Sequence, residues 1–176
     1  MNVRPDTPDG LKPKDLIGLP WRLAFALQDA GWYLRTDIIW NKPNAMPESV
    51  KDRPSRAHEF LFMFTKSERY FYNYEAQLVA GGSGARNRRT VWNINTKPMP
   101  EAHFATFPCE LVEPCILAGT QPGDFVLDPF MGSGTTGVVA KRLGRPFVGI
   151  ELNPEYLRIA RKRLRAEARE PELALR

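Results

Sequence analysis

The stretch Asp128–Gly137, which reads DPFMGSGTTG, decides the fold of this 176-residue chain. It follows a short strand predicted over Phe125–Leu127 and opens a predicted helix. Glycines in such a turn let the backbone approach a ligand closely and leave amide groups pointing into the crevice. A second predicted strand, Phe147–Ile150, ends at Glu151, which lies 19 residues after Gly132. This β-loop-α-β-α alternation predicts a parallel α/β sheet.

The glycine loop is compatible with more than one ligand. Gly132, Gly134 and Gly137 satisfy the G-x-G-x-x-G fingerprint of dinucleotide-binding folds. Asp128 argues against NAD, because its carboxylate at the strand end would repel a diphosphate. The same carboxylate suits S-adenosylmethionine, whose amino acid end carries an ammonium next to a sulfonium, and Glu151 can accept hydrogen bonds from the ribose hydroxyls. A Walker loop is excluded since no Lys-Ser or Lys-Thr follows the glycines. A tight turn without a ligand remains the alternative.

Two segments, DPFMGSGTT and GIELNPEY, make the sequence resemble the DNA N4-cytosine/N6-adenine methyltransferase family in its permuted beta-type form. Three more stretches agree with that family in order: Trp40 to Ser67, Arg86 to Pro98, and His103 to Pro108. The resemblance covers nearly the whole chain. It implies an α/β fold with a Rossmann-like S-adenosylmethionine-dependent methyltransferase sheet, circularly permuted and incomplete at its N-terminal side.

The same resemblance divides a single domain, residues 1–176, into three parts. Residues 1–78 correspond to the catalytic-side half, 79–100 to a basic loop facing DNA, and 101–176 to the cofactor-binding half. Glu151 would bind the ribose of the cofactor, and residues 104–106 would flank its methionine moiety. The implied cofactor-binding residues are Phe104, Ala105, Thr106, Asp128, Pro129, Phe130, Gly132, Ser133, Gly134, Thr135 and Glu151.

The catalytic motif of the family is not found in this sequence. Methylation of a base amino group requires the base to be flipped out, stacked on an aromatic ring and held through its amino protons. The family uses Asp, Asn or Ser, followed by two prolines and an aromatic residue. Asn153–Tyr156 (NPEY) lacks the second proline, and Asp128–Phe130 belongs to the cofactor loop. The catalytic residues therefore stay unknown.

The resemblance also places the missing motif upstream of the segment at Leu16, on a strand beside Phe125–Leu127. We therefore expect an unpaired strand edge at Phe125–Leu127, which is costly when exposed. The expectation is a truncated or split enzyme, or one in which a partner chain or an unusual local strand fills the slot.

Apolar patterning and turn signals predict the other elements. A helix is predicted from near Pro20 to Gly31, a strand over Trp32–Trp40, and a long polar loop over residues 41–56. The next strand, Glu59–Lys66, is expected to be buried on both faces. A short strand is predicted over Tyr70–Tyr74, and a flexible basic loop over Ala80–Arg89. The last two predictions are helices. One covers Cys109–Ala118 and is kinked by Pro114, and the other is an amphipathic helix after Tyr156 with Leu157, Ala160 and Leu164 inward.

The charge balance suits a polyanionic partner. The chain has 25 Lys and Arg against 20 Asp and Glu, which gives a net charge of +5 and a pI near 9.4. The best candidates for contacts with the phosphates of double-stranded DNA are Lys42, Arg53, Arg56, Arg86, Arg88 and Arg89. The alternative for each residue is a solubilising loop charge.

Composition limits the remaining classes. Cys109 and Cys115 are the only cysteines, so neither a disulfide scaffold nor a metal site is expected. The chain has no apolar run as long as a membrane span and no signal-peptide core, which predicts a cytoplasmic protein without a membrane partner.

The predicted function is the transfer of a methyl group from S-adenosylmethionine to the exocyclic amino group of adenine (N6) or cytosine (N4) in DNA. Two alternatives stay open. One is a catalytically inactive fragment or split subunit that retains S-adenosylmethionine and DNA binding, and the more distant one is an NAD-dependent oxidoreductase.

Overall fold

The computed structural model describes residues 7, 9–82, 84–97 and 106–167. In these ranges the helices are α1 (Leu19–Asp29), α2 (Cys109–Gly119), α3 (Thr135–Arg142) and α4 (Pro154–Glu167). The strands are β1 (Tyr33–Asn41), β2 (His58–Thr65), β3 (Leu78–Gly81), β4 (Gly84–Asn87), β5 (Val91–Asn93), β6 (Val126–Asp128) and β7 (Phe147–Gly149). They form three sheets, ordered β2-β1-β5, β3-β4 and β6-β7.

The C-terminal sheet is the parallel pair of strands that the β-loop-α-β-α pattern around the glycine loop predicts. β6 and β7 run parallel with Leu127 opposite Val148, and α3 connects them. One face of this pair packs on α2 and α3, where Val139 and Ala140 are almost completely buried. The predicted strand-loop-helix-strand-helix order is confirmed to within a few residues at each boundary.

The opposite face of the β6–β7 pair is bare. Phe125, Leu127, Val148 and Ile150 all lie on it, and the exposed fraction is 61% for Leu127 and 48% for Val148. In the described ranges β6 pairs with β7 alone, which confirms the expected unpaired edge. An apolar groove of about 460 Å³ separates that edge from β2. Parallel sheets are normally covered on both faces. On this side of the molecule, in the described ranges, the sheet lacks both a strand beside β6 and a covering layer over Leu127 and Val148.

The larger sheet is mixed. β1 runs antiparallel to β2 and parallel to β5. On one face Trp40 and Trp92 form a core with Leu111 of α2, and the Trp40 indole donates a 2.8 Å hydrogen bond to the Ile94 carbonyl. On the other face Trp21 of α1 makes edge-on ring contacts with two phenylalanines of β2.

The expected complete burial of β2 is wrong. Most of its residues, including Phe60 and Phe62, are only half-buried. The physical reason is incomplete cover: α1 is the helix that contacts this strand on one side, and a cavity of about 620 Å³ lies along the other.

The strand predicted over Tyr70–Tyr74 is also wrong. This segment is irregular and leads into a short 3-10 helix, Glu75–Gln77. Its polar groups bond to α2 instead of to a strand: the Asn73 amide donates to the Ala118 carbonyl, and the buried Gln77 side chain donates to the Pro114 carbonyl, both at 2.9 Å. Aromatic residues thus pack here without a ladder partner.

The flexible loop predicted over Ala80–Arg89 is a third error, and regular structure is present in the described part of residues 79–100. β3 and β4 form an antiparallel hairpin with Gly81 opposite Gly84, and β5 follows within the same range. The glycines, interpreted as signs of flexibility, lie at the tight end of the hairpin.

The helices agree better with the sequence patterns. α1 and α2 match their predicted bounds to within two residues, and α2 continues through Pro114. In α4, Ala160 is fully buried as predicted, Ile159 is buried as well, and Leu157 and Leu164 are half-buried. Within the described residues no helix is long and apolar enough to cross a membrane.

Gly137 provides a test of the α3–β7 packing. A Cβ atom at Gly137 would lie 2.5 Å from the Phe147 ring, whereas one at Gly119 would meet nothing within 4 Å. Gly137→Ala should therefore lower the free energy of unfolding by about 1–3 kcal/mol through overpacking. Gly119→Ala should leave it unchanged or raise it slightly, because alanine favours helix. Urea unfolding of both variants is the measurement, and equal effects would contradict the packing described.

Candidate cofactor site

The site begins with two carboxylates at neighbouring strand ends. Asp128 ends β6, and Glu151 comes two residues after the end of β7. The strand ends are joined by backbone hydrogen bonds of 3.0 Å, from the Ile150 amide to the Asp128 carbonyl and from the Met131 amide to the Ile150 carbonyl. The pairing of β6 with β7 thus places both acids at the edge where parallel sheets bind ligands.

The Asp128 carboxylate shapes the start of the glycine loop. One oxygen accepts the Phe130 amide at 3.0 Å, and the other accepts the Thr136 hydroxyl at 2.7 Å. The side chain therefore bridges the beginning of the loop and the first turn of α3. Its negative charge lies beside the turn, where the sequence predicted it.

The Glu151 carboxylate holds the centre of the loop from the opposite side. One oxygen accepts the Gly132 amide at 2.8 Å, and the other accepts the Asn153 amide at 2.7 Å. A carboxylate oxygen has room for a second donor. Glu151 can therefore keep both amides and still accept hydrogen bonds from hydroxyl groups of a ligand.

Gly134 allows the loop to turn into α3. Its φ angle is +82°, and an added Cβ would lie 2.8 Å from the Cβ of Ala160 in α4. Glycine is therefore required both by the left-handed backbone and by the close approach of α4. Gly134 caps α3 without a side-chain hydrogen bond. The amides at this helix end contribute positive partial charge beside the loop.

The predicted cofactor residues divide into groups in the structure. Asp128, Gly132 and Glu151 are joined by the hydrogen bonds above, and Phe130 beside them is 89% exposed. Ser133 and Thr135 are buried, and their hydroxyls accept hydrogen bonds from Arg163 of α4, so those side chains face away from the open side. Pro129 is exposed, Gly134 is buried and Thr106 is half-buried, while Phe104 and Ala105 lie outside the described residues. A role of each in cofactor binding stays a prediction.

Two residues near the loop were missed by the sequence interpretation. Leu152 follows Glu151 directly and is 95% exposed. Arg163 is one of several arginines on the C-terminal helix. A signal existed for Leu152, since it lies next to the acid, but nothing in the spacing of the arginines distinguished Arg163.

The first three DNA-contact candidates lie on the loop after β1. Lys42 pairs with Glu59 and packs over the Trp40 ring, so its charge is compensated. Arg53 forms a 2.6 Å ion pair with Glu48. Arg56 is exposed, and within the described residues its side chain forms no ion pair.

Glu48 organises this loop. Besides the Arg53 guanidinium it accepts the Arg56 backbone amide at 3.2 Å. These two hydrogen bonds lower the pKa of the Glu48 carboxyl, and the one from Arg53 has the larger effect. The hydrogen bond with Glu48 in turn raises the pKa of the Arg53 guanidinium. Both members of the Glu48–Arg53 ion pair are therefore charged at neutral pH.

The other three candidates lie on the opposite side of the β1–β5 pair. Lys42 follows the end of β1, whereas Arg88 and Arg89 precede the start of β5, which runs parallel to β1. Arg86 is on β4. Arg88 is half-buried over the Trp92 ring, and its Nε atom is buried without a hydrogen-bond partner. Arg86 and Arg89 are exposed. The structure thus does not bring the six cations into one cluster.

The geometry of the site indicates a class of domain. Two acids at the ends of adjacent parallel strands, with a glycine loop between them that opens a helix, have the arrangement that α/β domains use to bind nucleotide ligands at the carboxyl ends of the strands. Among the described residues no group of three His, Cys, Asp or Glu side chains could hold a metal.

Comparison with known proteins identifies the family. A family model for DNA methylases of the N6/N4 type matches residues 6–162. The chain belongs to this family, so the resemblance noted in the sequence is confirmed.

Among curated relatives, the chain is similar to the Type II methyltransferase M.Cfr9I of Citrobacter freundii, with 72% identity over 168 residues, covering 95% of this chain and 56% of the relative. It is also similar to M.SmaI of Serratia marcescens, with 60% identity over 167 residues. That match covers 93% of this chain and 57% of the relative. The chain therefore spans about half the length of these relatives.

Solved structures support the fold. The crystal structure of the M1.HpyAVI-SAM complex matches with a TM-score of 0.65 and 32% identity, covering 85% of this chain and 72% of the other. The PvuII DNA methyltransferase, described as cytosine-N4-specific, matches with a TM-score of 0.74 and 25% identity. That match covers 96% of this chain and 62% of the PvuII enzyme. The expected Rossmann-like methyltransferase fold is confirmed, with the sheet incomplete in the described ranges.

Glu151→Gln tests the hydrogen bonding of the site. An amide side chain has one acceptor oxygen, so either Gly132 or Asn153 would face the NH₂ group. The variant should lose about 1–2 kcal/mol of unfolding free energy, and the Gly132 or Asn153 amide should exchange with deuterium faster. Glu68→Gln, at an exposed turn, is the control and should change neither quantity. Unaltered exchange at both amides would contradict the bridge.

Proposed function

We propose that the chain is the cofactor-binding part of a DNA methyltransferase that uses S-adenosylmethionine and acts on a base amino group. The observation that carries the proposal is the pair Asp128 and Glu151, held on either side of the glycine loop. When bound, S-adenosylmethionine supplies a methyl group on a positively charged sulfur. The membership in the DNA methylase family and the match to a solved S-adenosylmethionine complex support this assignment.

Each part of the loop has a role in this proposal. Glu151 accepts the ribose hydroxyls, using the lone pairs that the Gly132 and Asn153 amides leave available. The Asp128 carboxylate supplies negative charge near the cationic end of the cofactor. Phe130, Pro129 and the backbone of residues 132–135 line the pocket, and residues 104–106 flank the methionine moiety.

The substrate proposed is the exocyclic amino group of adenine (N6) or cytosine (N4) in double-stranded DNA. Cytosine is the first base to test, since the PvuII enzyme that matches this fold is described as cytosine-N4-specific. The flipped base must present its amine lone pair to the methyl group, and acceptors must hold the amino protons. The family resemblance assigns these acceptors to the catalytic motif, which is not found in this sequence.

We infer that the unpaired edge of β6 receives a strand from a partner chain or from a segment outside the described residues. Three features support this: the edge has no partner in the described ranges, the apolar groove of about 460 Å³ lies beside it, and the sheet face with Leu127 and Val148 is bare. A parallel strand in that slot would end next to Asp128. Its last residues would then lie where the catalytic motif is needed.

A second candidate function is a catalytically inactive fragment or split subunit that binds S-adenosylmethionine and DNA. The bare sheet edge in the described ranges favours it. An NAD-dependent oxidoreductase has less support, because Asp128 remains at the loop with both oxygens fixed toward it.

The decisive experiment supplies methyl-labelled S-adenosylmethionine and unmodified DNA to the purified chain. We expect calorimetry to detect cofactor binding, with Glu151→Ala weakening it about tenfold or more, since the ribose contacts are lost. Glu68→Ala is the matched control. Labelled N6-methyladenine or N4-methylcytosine after digestion would establish activity and base together. Binding without label would support the inactive or split form, and NADH binding without S-adenosylmethionine binding would refute the proposal.

The proposed contacts with DNA phosphates are tested with variants of two exposed cations, Arg56 and Arg89, and of one paired cation, Arg53. Arg56→Gln and Arg89→Gln remove exposed cations, so each should weaken DNA binding and reduce the slope of log K against log salt by about one. Arg53→Gln should have a smaller effect, because Glu48 already compensates that charge. A titration of fluorescent duplex DNA at several salt concentrations measures the slopes. If Arg56 and Arg89 leave the slope unchanged, they do not contact phosphate.

A further inference from the structure

Helix α4 lies directly against the back of the glycine loop. Ala160 is completely buried there, at the point where only a glycine fits at position 134. One turn further along α4, Arg163 reaches the same loop. The loop therefore has a front, where Glu151 binds the Gly132 amide, and a back, which is formed by α4.

Arg163 makes a concentrated set of hydrogen bonds to this back side. Its NH1 atom donates to the Ser133 carbonyl at 2.7 Å, to the Ser133 hydroxyl at 3.1 Å and to the Thr135 hydroxyl at 3.1 Å. Ser133 and Thr135 are only 6% and 5% exposed. Hydrogen bonds from a charged donor are stronger than neutral ones, and burial strengthens them further.

These contacts fix the orientation of one peptide group in the loop. The carbonyl of Ser133 is held by Arg163, and the amide of the same peptide, Gly134 N–H, donates to the Met131 carbonyl at 2.9 Å. The preceding Gly132 amide is held by Glu151. Loss of Arg163 would release the Ser133 carbonyl and both hydroxyls, so the loop could turn away from the conformation in which it meets a ligand.

We propose that Arg163 is a positioning residue for the cofactor loop. It acts through Ser133 and Thr135 and does not touch the cofactor itself. This inference rests on the proposed binding of S-adenosylmethionine. It assigns Ser133 and Thr135 a second role, as the points at which α4 holds the loop.

A neighbouring ion pair provides a matched control. Arg142 of α3 binds Glu167 of α4 through two hydrogen bonds of 2.8 and 3.1 Å. The hydrogen bond from Arg142 is the main cause of the lowered pKa of the Glu167 carboxyl. This pair also connects α4 with α3, but it does not involve the loop.

The test compares Arg163→Gln with Arg142→Gln in the full chain. Calorimetry with S-adenosylmethionine should show affinity about tenfold weaker for Arg163→Gln, because the hydrogen bonds from a charged donor that order the loop are lost. Arg142→Gln should bind as the wild type does, although both variants lower the melting temperature. Arg163→Lys should recover part of the affinity, since one ammonium can still reach the Ser133 carbonyl. Amide exchange over residues 132–136 should be faster only in the Arg163 variants.

The outcomes separate this inference from the proposed function. Wild-type protein that binds no S-adenosylmethionine refutes the proposed function, and loop exchange then still decides whether Arg163 orders residues 132–136. Equal affinity in wild type and Arg163→Gln, or equal losses in Arg163→Gln and Arg142→Gln, overturns the inference. If Arg163→Gln does not fold, Arg163→Lys replaces it: unchanged affinity and unchanged loop exchange in that variant overturn the inference as well.

Discussion

The hydrogen bond from the Gly132 amide to the Glu151 carboxylate is the interaction on which the candidate site depends. It spans 2.8 Å and joins the loop after β6 to the residue that follows β7. Without parallel pairing of these strands the two residues, 19 apart in sequence, would not meet. The bond leaves Glu151 with further acceptor capacity. A single side chain can thereby both shape the loop and bind a ligand.

The loop is consequently determined by contacts from two sides. Carboxylates at the strand ends bind its amides, and α4 packs against it where Gly134 meets Ala160. Amides that are already oriented do not have to be ordered when a ligand binds, which reduces the cost of binding. The contacts that hold this motif of small residues in place come from the elements that surround it.

Local sequence patterns predicted the parts of the fold whose interactions are themselves local. The glycine loop and its flanking strands were correct because each element leads directly into the next. Tyr70–Tyr74 was misassigned because its aromatic residues are typical of strands, while its backbone bonds to α2, more than 30 residues away. The β3–β4 hairpin was interpreted as a flexible loop, since glycines at a tight turn and in a linker look alike in a sequence. In the site, the placement of Asp128 and Glu151 could be predicted from the strand ends, but the contact of Arg163 with Ser133 is 30 residues distant and depends on how α4 crosses the loop.

The unpaired sheet edge and the proposed cofactor site lie at the same place. β6 has one free edge in the described ranges, and its carboxyl end carries Asp128. A strand that paired parallel with β6 would cover that edge and would also end beside the two acids. The bare face with Leu127 and Val148 would need a helix over it for the same reason that other parallel sheets do. One β-α unit added there would therefore satisfy the packing of the sheet and bring its terminal residues to the proposed cofactor, so the structural requirement and the catalytic requirement have a common solution.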